Sequence, residues 1–248
     1  MEVQLKLAIL SDIHGNLVAL ETVLAELAHR SIDQAICLGD VAASGPQPHE
    51  VIARLMELDW PNVRGNADAW LLNPVRYAGD DPFYQRIDEI DAWCEVQLTD
   101  RDKAFLATFK PVIEIGLRDV LQLLGYHGSP RSDQEPITVT TPDETIHEIF
   151  GELPQQIFVG GHTHQQMLRR YQDAVLLNPG SVGLPYETMR PDATERNVPW
   201  AEYALLTQET GRLAIELCRV PLDTLAVKQA AFEYQMPHAD WWASEWPE

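Results

Sequence analysis

The sequence predicts an α/β fold on three observations. Short apolar runs alternate with amphipathic helical stretches, the pattern of a parallel sheet covered by helices. Almost every apolar run stops at a glycine next to an aspartate, asparagine or histidine. Hydrophobic residues make up 45% of the 248, enough to fill a core. In open α/β sheets, function gathers at the carboxyl ends of the strands, so those stops are the places to look.

Residues 5–10 form the first predicted strand, ending at Ser11-Asp12-Ile13-His14-Gly15-Asn16. Asn16 is positioned to cap a helix through about Arg30, with Leu17, Leu20, Val23, Leu24 and Leu27 on one face. Residues 35–38 form a second strand ending at Gly39-Asp40, and 47–58 read as a helix. Val63 lies in a third short strand that ends at Arg64-Gly65-Asn66. Residues 73–110 read as a helical insertion, broken at Asn73-Pro74 and Asp80-Asp81-Pro82.

Strands follow over 111–117 and 120–126, the second ending at His127-Gly128. Thr141-Pro142-Asp143-Glu144 predicts a helix start with a threonine cap. Residues 157–159 lead to Gly160-Gly161-His162-Thr163-His164, and 175–177 lead to Asn178-Pro179-Gly180-Ser181. A hairpin is expected over 203–220 around Thr210-Gly211, then a helix over 221–234 and a tryptophan-rich tail. No repeat or low-complexity linker is visible, so residues 1–248 are expected to form a single domain, with 221–248 as its C-terminal helix and tail.

Composition limits the partners. Eighteen lysines and arginines face 38 aspartates and glutamates, a formal net charge of −20. Nucleic-acid polymers and anionic membranes are bound through positive charge, so neither is an expected partner. The N-terminus, MEVQLKLAILSD, lacks the pattern of a signal peptide, and no apolar run reaches membrane-spanning length. Cys37, Cys94 and Cys218 are odd in number and far apart, fitting neither a disulfide framework nor a CxxC zinc site. A reduced cytoplasm is the expected location, with the three cysteines as small buried or half-buried side chains.

The strand-end residues form a constellation. Asp12 and His14 are two apart, as are His162 and His164, and in extended chain that spacing sends both side chains to the same side. With Asp40, Asn66 and His127 they offer seven ligands of mixed imidazole and oxygen chemistry. Such a set suits Mn, Fe, Zn, Co or Ni. It is too large for one tetrahedral ion and sufficient for two sharing a carboxylate. Each piece alone is common; five in this order are not.

Taken together, Asp12-x-His14, Gly39-Asp40, Gly65-Asn66-x-Asp68, His127-Gly128 and Gly161-His162-x-His164 resemble the calcineurin-like metallophosphoesterase superfamily. The resemblance covers about residues 5–220, and Asn178-Pro179-Gly180-Ser181-Val182-Gly183 is similar to a segment of its small bacterial and archaeal phosphodiesterases. It implies a four-layer α/β/β/α sandwich, two packed mixed sheets flanked by helices. It implies that Asp12, His14 and His164 hold one divalent ion, that Asn66, His127 and His162 hold the other, and that Asp40 bridges them. The activity implied is phosphodiester hydrolysis of a small phosphate ester, by in-line attack of a hydroxide bridging the two ions. Asn66, and at lower weight Arg64, are the phosphate-binding candidates.

One departure stands out. Many members read Gly-Asn-His where this chain has Gly65-Asn66-Ala67, and that histidine helps to protonate the leaving group or bind the phosphate. A preference for good leaving groups is expected, or an acid from elsewhere; His49 is a candidate only in principle, with a solvated surface position as its simpler reading. Asp68 either orients the Asn66 loop or caps the helix that follows. Arg64 either touches phosphate or pairs with a carboxylate. Residues 186–200 either line the substrate mouth or form a surface loop. The tail around Trp241, Trp242 and Trp246 either folds back onto the domain or offers a partner or homo-oligomer surface. The rival functions are a non-catalytic scaffold, as a retromer subunit of this fold is, a nuclease, and a phosphoprotein phosphatase. All seven ligand positions carry competent residues, which favours an enzyme.

Overall fold

The computed structural model of the chain describes residues 4–117, 121–187 and 196–247. In chain order it runs β1 (Leu5–Leu10), α1 (Leu17–Arg30), β2 (Gln34–Cys37), α2 (Pro48–Leu58), α3 (Asn66–Leu72), α4 (Pro82–Gln97), α5 (Asp100–Leu106), β3 (Val112–Gly116) and β4 (Gln122–Tyr126). It continues with α6 (Asp143–Phe150), β5 (Ile157–Val159), β6 (Met167–Tyr171), β7 (Ala174–Asn178), β8 (Tyr186–Glu187) and β9 (Arg196–Asn197). The last elements are β10 (Trp200–Glu209), β11 (Arg212–Pro221), α7 (Thr224–Glu233) and α8 (Ala239–Ser244).

Two mixed sheets form, one in the order β11-β10-β1-β2 and the other β3-β4-β5-β7-β6. Their apolar faces meet. Leu7 and Ile9 of β1, Ile36 of β2 and Leu206 of β10 pack with Leu123, Val159 and Leu177 of the second sheet. The alternate residues of β1, Ala8 and Leu10, point outward and pack with Leu20, Val23 and Leu27 of α1. β1 is therefore buried on both faces, which is why it reads as an unbroken apolar run. Beyond the second sheet, Leu124, Phe158 and Leu176 pack under Ile146 and Phe150 of α6. The layers are helices, sheet, sheet, helix, the expected four-layer architecture.

Asn16 caps α1 as expected, its side-chain oxygen accepting the Ala19 N–H at 3.0 Å. Three readings change. Val63 makes only isolated bridges, donating to Cys37 O at 2.8 Å and pairing with Lys110, because Pro61 precedes it and α3 starts at Asn66. Thr141 does not cap α6, which begins at Asp143 without a side-chain cap. Its hydroxyl oxygen instead accepts the Thr138 N–H at 2.9 Å, closing the turn ahead of the helix. Pro221 ends β11 rather than starting a helix, and Asp223 caps α7 through Ala226 N–H at 3.0 Å. β6 was not visible in the sequence: it is an edge strand whose polar Arg169 and Arg170 hide its alternation. Val120 and residues 188–195, including Arg190, lie outside the described residues.

The tryptophan tail packs against the chain's own interior. Trp242 and Trp246 join the core on the α1 side, and the Trp242 indole N–H donates to Ser44 O at 3.0 Å. The three cysteines are free and buried. No helix among the described residues is long and apolar enough to cross a membrane.

Candidate metal centre

β1, β2, β4 and β5 all end on the same side, so both sheets deliver their polar stops to one place. Asp12 and His14 do not project together from extended chain as the spacing suggested. Asp12 has φ of 55°, His14 of 47°, Asp40 of 54°, His162 of 67° and His164 of 54°, all in the left-handed region. Aspartate and histidine tolerate that region better than most residues, but each such residue still costs on the order of 1–3 kcal/mol. Backbone hydrogen bonds hold the bends: Asp12 N–H to Gly39 O at 3.0 Å, His14 N–H to Asp40 O at 2.9 Å, and Gly161 N–H to His127 O at 2.8 Å. Gly65 is needed because a Cβ there would sit on the Asp40 carboxylate.

Two clusters result. Asp12, His14 and His164 bring one ligand atom each within 4.8 Å of one another, and Asp40, His127 and His162 do the same. Asn66 joins the second cluster, its amide oxygen 3.2 Å from His127 Nε2. Each aspartate has one oxygen fixed by backbone and one turned inward. Asp40 Oδ1 accepts the Ala67 N–H at 2.8 Å, while Oδ2 lies 3.2 Å from His127 Nε2 and 4.0 Å from His14 Nε2. Asp12 Oδ2 accepts the His162 N–H at 3.1 Å, while Oδ1 lies 3.4 Å from His164 Nε2 and 3.9 Å from His127 Nε2.

The imidazoles are oriented from behind. Nδ1 of His14 donates to Ala43 O at 3.0 Å, that of His127 to Leu38 O at 2.8 Å, and that of His164 to Leu184 O at 2.7 Å. Backbone carbonyls therefore fix these tautomers and leave Nε2 facing the cluster, the arrangement of metal-binding histidines. His14 and His164 then bring two Nε2 atoms to 3.1 Å, and Asp12 Oδ1 is fully buried with no hydrogen-bond donor. Two facing ring nitrogens and a carboxylate oxygen without a hydrogen-bond partner fit a cation between them. The residues present suit a divalent metal.

Electrostatics agree. Burial and the facing His164 lower the His14 imidazole to about 4, so it is neutral at physiological pH. Burial also acts to lower His127, but the Asp40 carboxylate beside it prevails and raises it to about 10. Burial would raise Asp12 and Asp40; their histidine neighbours outweigh it and hold both below the usual carboxylate range.

Behind the ligands, Asp68 performs both roles considered for it. Its carboxylate accepts the Asp40 N–H at 2.8 Å, the Val41 N–H at 2.9 Å and the Gly65 N–H at 2.9 Å, tying two ligand loops to the start of α3. Burial and the nearby Asp40 push its carboxyl up to about 7, against the pull of these donors. The Asn178–Gly183 segment braces the other side. Ser181 Oγ donates to Asp12 O at 2.7 Å, and Asn178 Nδ2 donates to Gly161 O at 2.6 Å.

A cavity of about 320 Å³ opens over the clusters, lined by His14, Asp40, Asn66, His162 and His164 together with residues the sequence did not single out. Those are Ser44, Trp70, Ile87, Asp91 and Gln134. Asp91 accepts a hydrogen bond from Ser44 Oγ at 2.8 Å, and burial pushes its carboxyl up to about 7. Its signal was an acid in an otherwise apolar helical stripe, Ile87, Asp91 and Cys94 of α4. His49 is half exposed and pairs with Asp102 at 2.8 Å, outside this cavity's lining. Arg64 Nε is buried without a hydrogen-bond partner, and no carboxylate among the described residues pairs with it. Tyr186, Arg196 and Asn197 line a neighbouring cavity that also includes His164.

A sequence model of the Calcineurin-like phosphoesterase superfamily domain matches residues 5–207. An uncharacterized protein of Methanocaldococcus jannaschii is 24% identical over 249 residues, covering 93% of each chain. The crystal structure of a metallophosphoesterase from Sphaerobacter thermophilus superposes with a TM-score of 0.72 at 20% identity, covering 97% of both chains. That of a hypothetical protein from Pyrococcus horikoshii OT3 gives 0.75 at 18% identity, covering 94% of this chain and 95% of the other. By the family-model match over residues 5–207, most of its length, the chain belongs to the calcineurin-like phosphoesterase superfamily.

Proposed function

We propose that the protein hydrolyses a small phosphodiester with two divalent metal ions held between β1, β2, β4 and β5. The observation that carries this reading is the pair of adjoining clusters with inward, donor-free Asp12 Oδ1. Asp12, His14 and His164 would hold one ion; Asn66, His127 and His162 the other; Asp40 Oδ2 faces both sets. When bound, the ions supply a hydroxide at neutral pH and neutralise charge on the phosphorus oxygens.

The chain's own groups do the rest. The carbonyls of Ala43, Leu38 and Leu184 hold three imidazoles in their ligating tautomer. The Asn66 amide oxygen faces His127, which leaves its NH₂ to donate to a phosphate oxygen. Ala67 supplies only a backbone N–H, already donated to Asp40. The acid is instead Asp91, which lines the cavity and whose carboxyl burial pushes up to about 7, so that at neutral pH it can carry the proton that passes to the departing oxygen.

Charge favours a diester over a monoester. The described cavity lining includes no lysine or arginine to meet a second negative charge on the substrate. A singly charged diester fits that balance better than a dianion. With added Mn²⁺, kcat/KM for bis(4-nitrophenyl) phosphate should exceed that for 4-nitrophenyl phosphate by at least about tenfold, a difference of about 1.4 kcal/mol. Both release the same phenol. No turnover of either by metal-loaded protein, or preference for the monoester, would refute the reading.

A further inference from the structure

A second cavity, of about 280 Å³, adjoins the first and shares His164, Ser44 and Ile87 with it. Together they reach the size of ligand pockets, roughly 300–1,000 Å³. The second one has a different character. Phe83 at the start of α4, Trp241 of α8 and Tyr186 of β8 supply aromatic walls. Phe83 is 48% exposed despite its apolar ring. It meets Trp241 edge to face at 5.7 Å, and the Arg86 guanidinium lies 5.3 Å from the Trp241 ring. Tyr186 packs at 5.1 Å on the ring of His164, so an aromatic wall begins at a candidate metal ligand.

This wall is tied down. Trp242 is anchored to Ser44 O, and Asn197 N–H donates to Glu245 O at 2.9 Å, joining the tail to β9. The charged groups in the lining, Arg196 and Glu245, are opposite in sign, so the cavity offers no net charge to a second phosphate. Rigid aromatic faces beside an anion site suit a flat, neutral ring, which gains edge and face contacts beyond its buried area.

We propose that this cavity binds an uncharged aromatic ring carried on one ester oxygen of the substrate, making the substrate an aromatic phosphodiester with a single phosphorus. The proposal rests on the phosphodiester reading above. It assigns the tryptophan tail a part in substrate selection, through Trp241.

Two non-hydrolysable monoanions test it without turnover: benzyl(methyl)phosphinate and propyl(methyl)phosphinate. Calorimetric titration of Mn²⁺-loaded protein should show the benzyl compound binding about tenfold tighter, or about 1.4 kcal/mol. In Phe83→Ala and in Trp241→Ala the ratio should fall below about twofold. Phe83 is half exposed, so its variant keeps the test valid should the tail variant misfold. Equal affinities in the wild-type protein, or a ratio preserved in Phe83→Ala, overturn the ring site. Benzyl preference without diester turnover would overturn the hydrolase reading alone; turnover without benzyl preference, including no binding of either compound, would overturn the ring site alone; absence of both turnover and benzyl preference would overturn both.

Discussion

Asp40→Asn should remove nearly all hydrolysis. Asp40 lies between the two clusters, with Oδ1 fixed by the Ala67 N–H and Oδ2 at 3.2 Å from His127 and 4.0 Å from His14. The amide can still accept the Ala67 N–H, so the loop has no reason to move. What disappears is the charge that both proposed metal sites would share. A metal's electrostatic contribution to the transition state is several kcal/mol, so kcat/KM should fall roughly a thousandfold or more. His162→Ala should act similarly through the second cluster. Steady-state kinetics with metal analysis check this, and near-normal rates in both variants with full metal occupancy would refute the ligand assignment.

Asp68→Ala should produce the largest loss of stability. Three backbone N–H groups, from Asp40, Val41 and Gly65, depend on this one buried carboxylate. Alanine leaves all three buried without an acceptor. Each unsatisfied donor costs about 1–3 kcal/mol, so with partial relaxation the loss should be roughly 3–5 kcal/mol. That is a large share of the stability of an ordinary domain. Asp68→Asn keeps one acceptor oxygen and should lose about half as much. Urea unfolding of the metal-free proteins measures the difference directly, and an unchanged midpoint in Asp68→Ala would show that the clamp is not needed.

The parts of the fold legible in the sequence are those whose cause is local. β1 and β2 read as apolar runs because both their faces are buried, and Asn16 announced α1 because capping needs only its own side chain. β6 was illegible because an edge strand exposes Arg169 and Arg170, which break the pattern. Thr141 misled because its hydroxyl serves the preceding turn.

The site divides the same way. Asp12, His14, Asp40, Asn66, His127, His162 and His164 were visible because each lies within a few residues of the end of an apolar run, and the structure brings all seven together. How they converge was not visible. Period-two spacing suggested extended chain, whereas the left-handed bends at Asp12, His14, Asp40, His162 and His164 depend on hydrogen bonds between neighbouring loops. Asp91, Phe83 and Trp241 reach the site from α4 and α8, and nothing in their local sequence says where those helices pack.

The most direct test of the account is a calorimetric titration of chelator-treated protein with Mn²⁺, repeated in buffers of different ionisation enthalpy. The proposed function predicts two ions per chain. It also predicts proton release on binding at neutral pH. His127 is held protonated up to about 10 by Asp40 and must lose its proton to ligate, whereas His14, lowered to about 4, is already neutral. Affinity should therefore rise with pH toward about 10. Two equivalents with buffer-dependent heats would support the dinuclear centre; one equivalent or none, or heats that do not change with buffer, would contradict it.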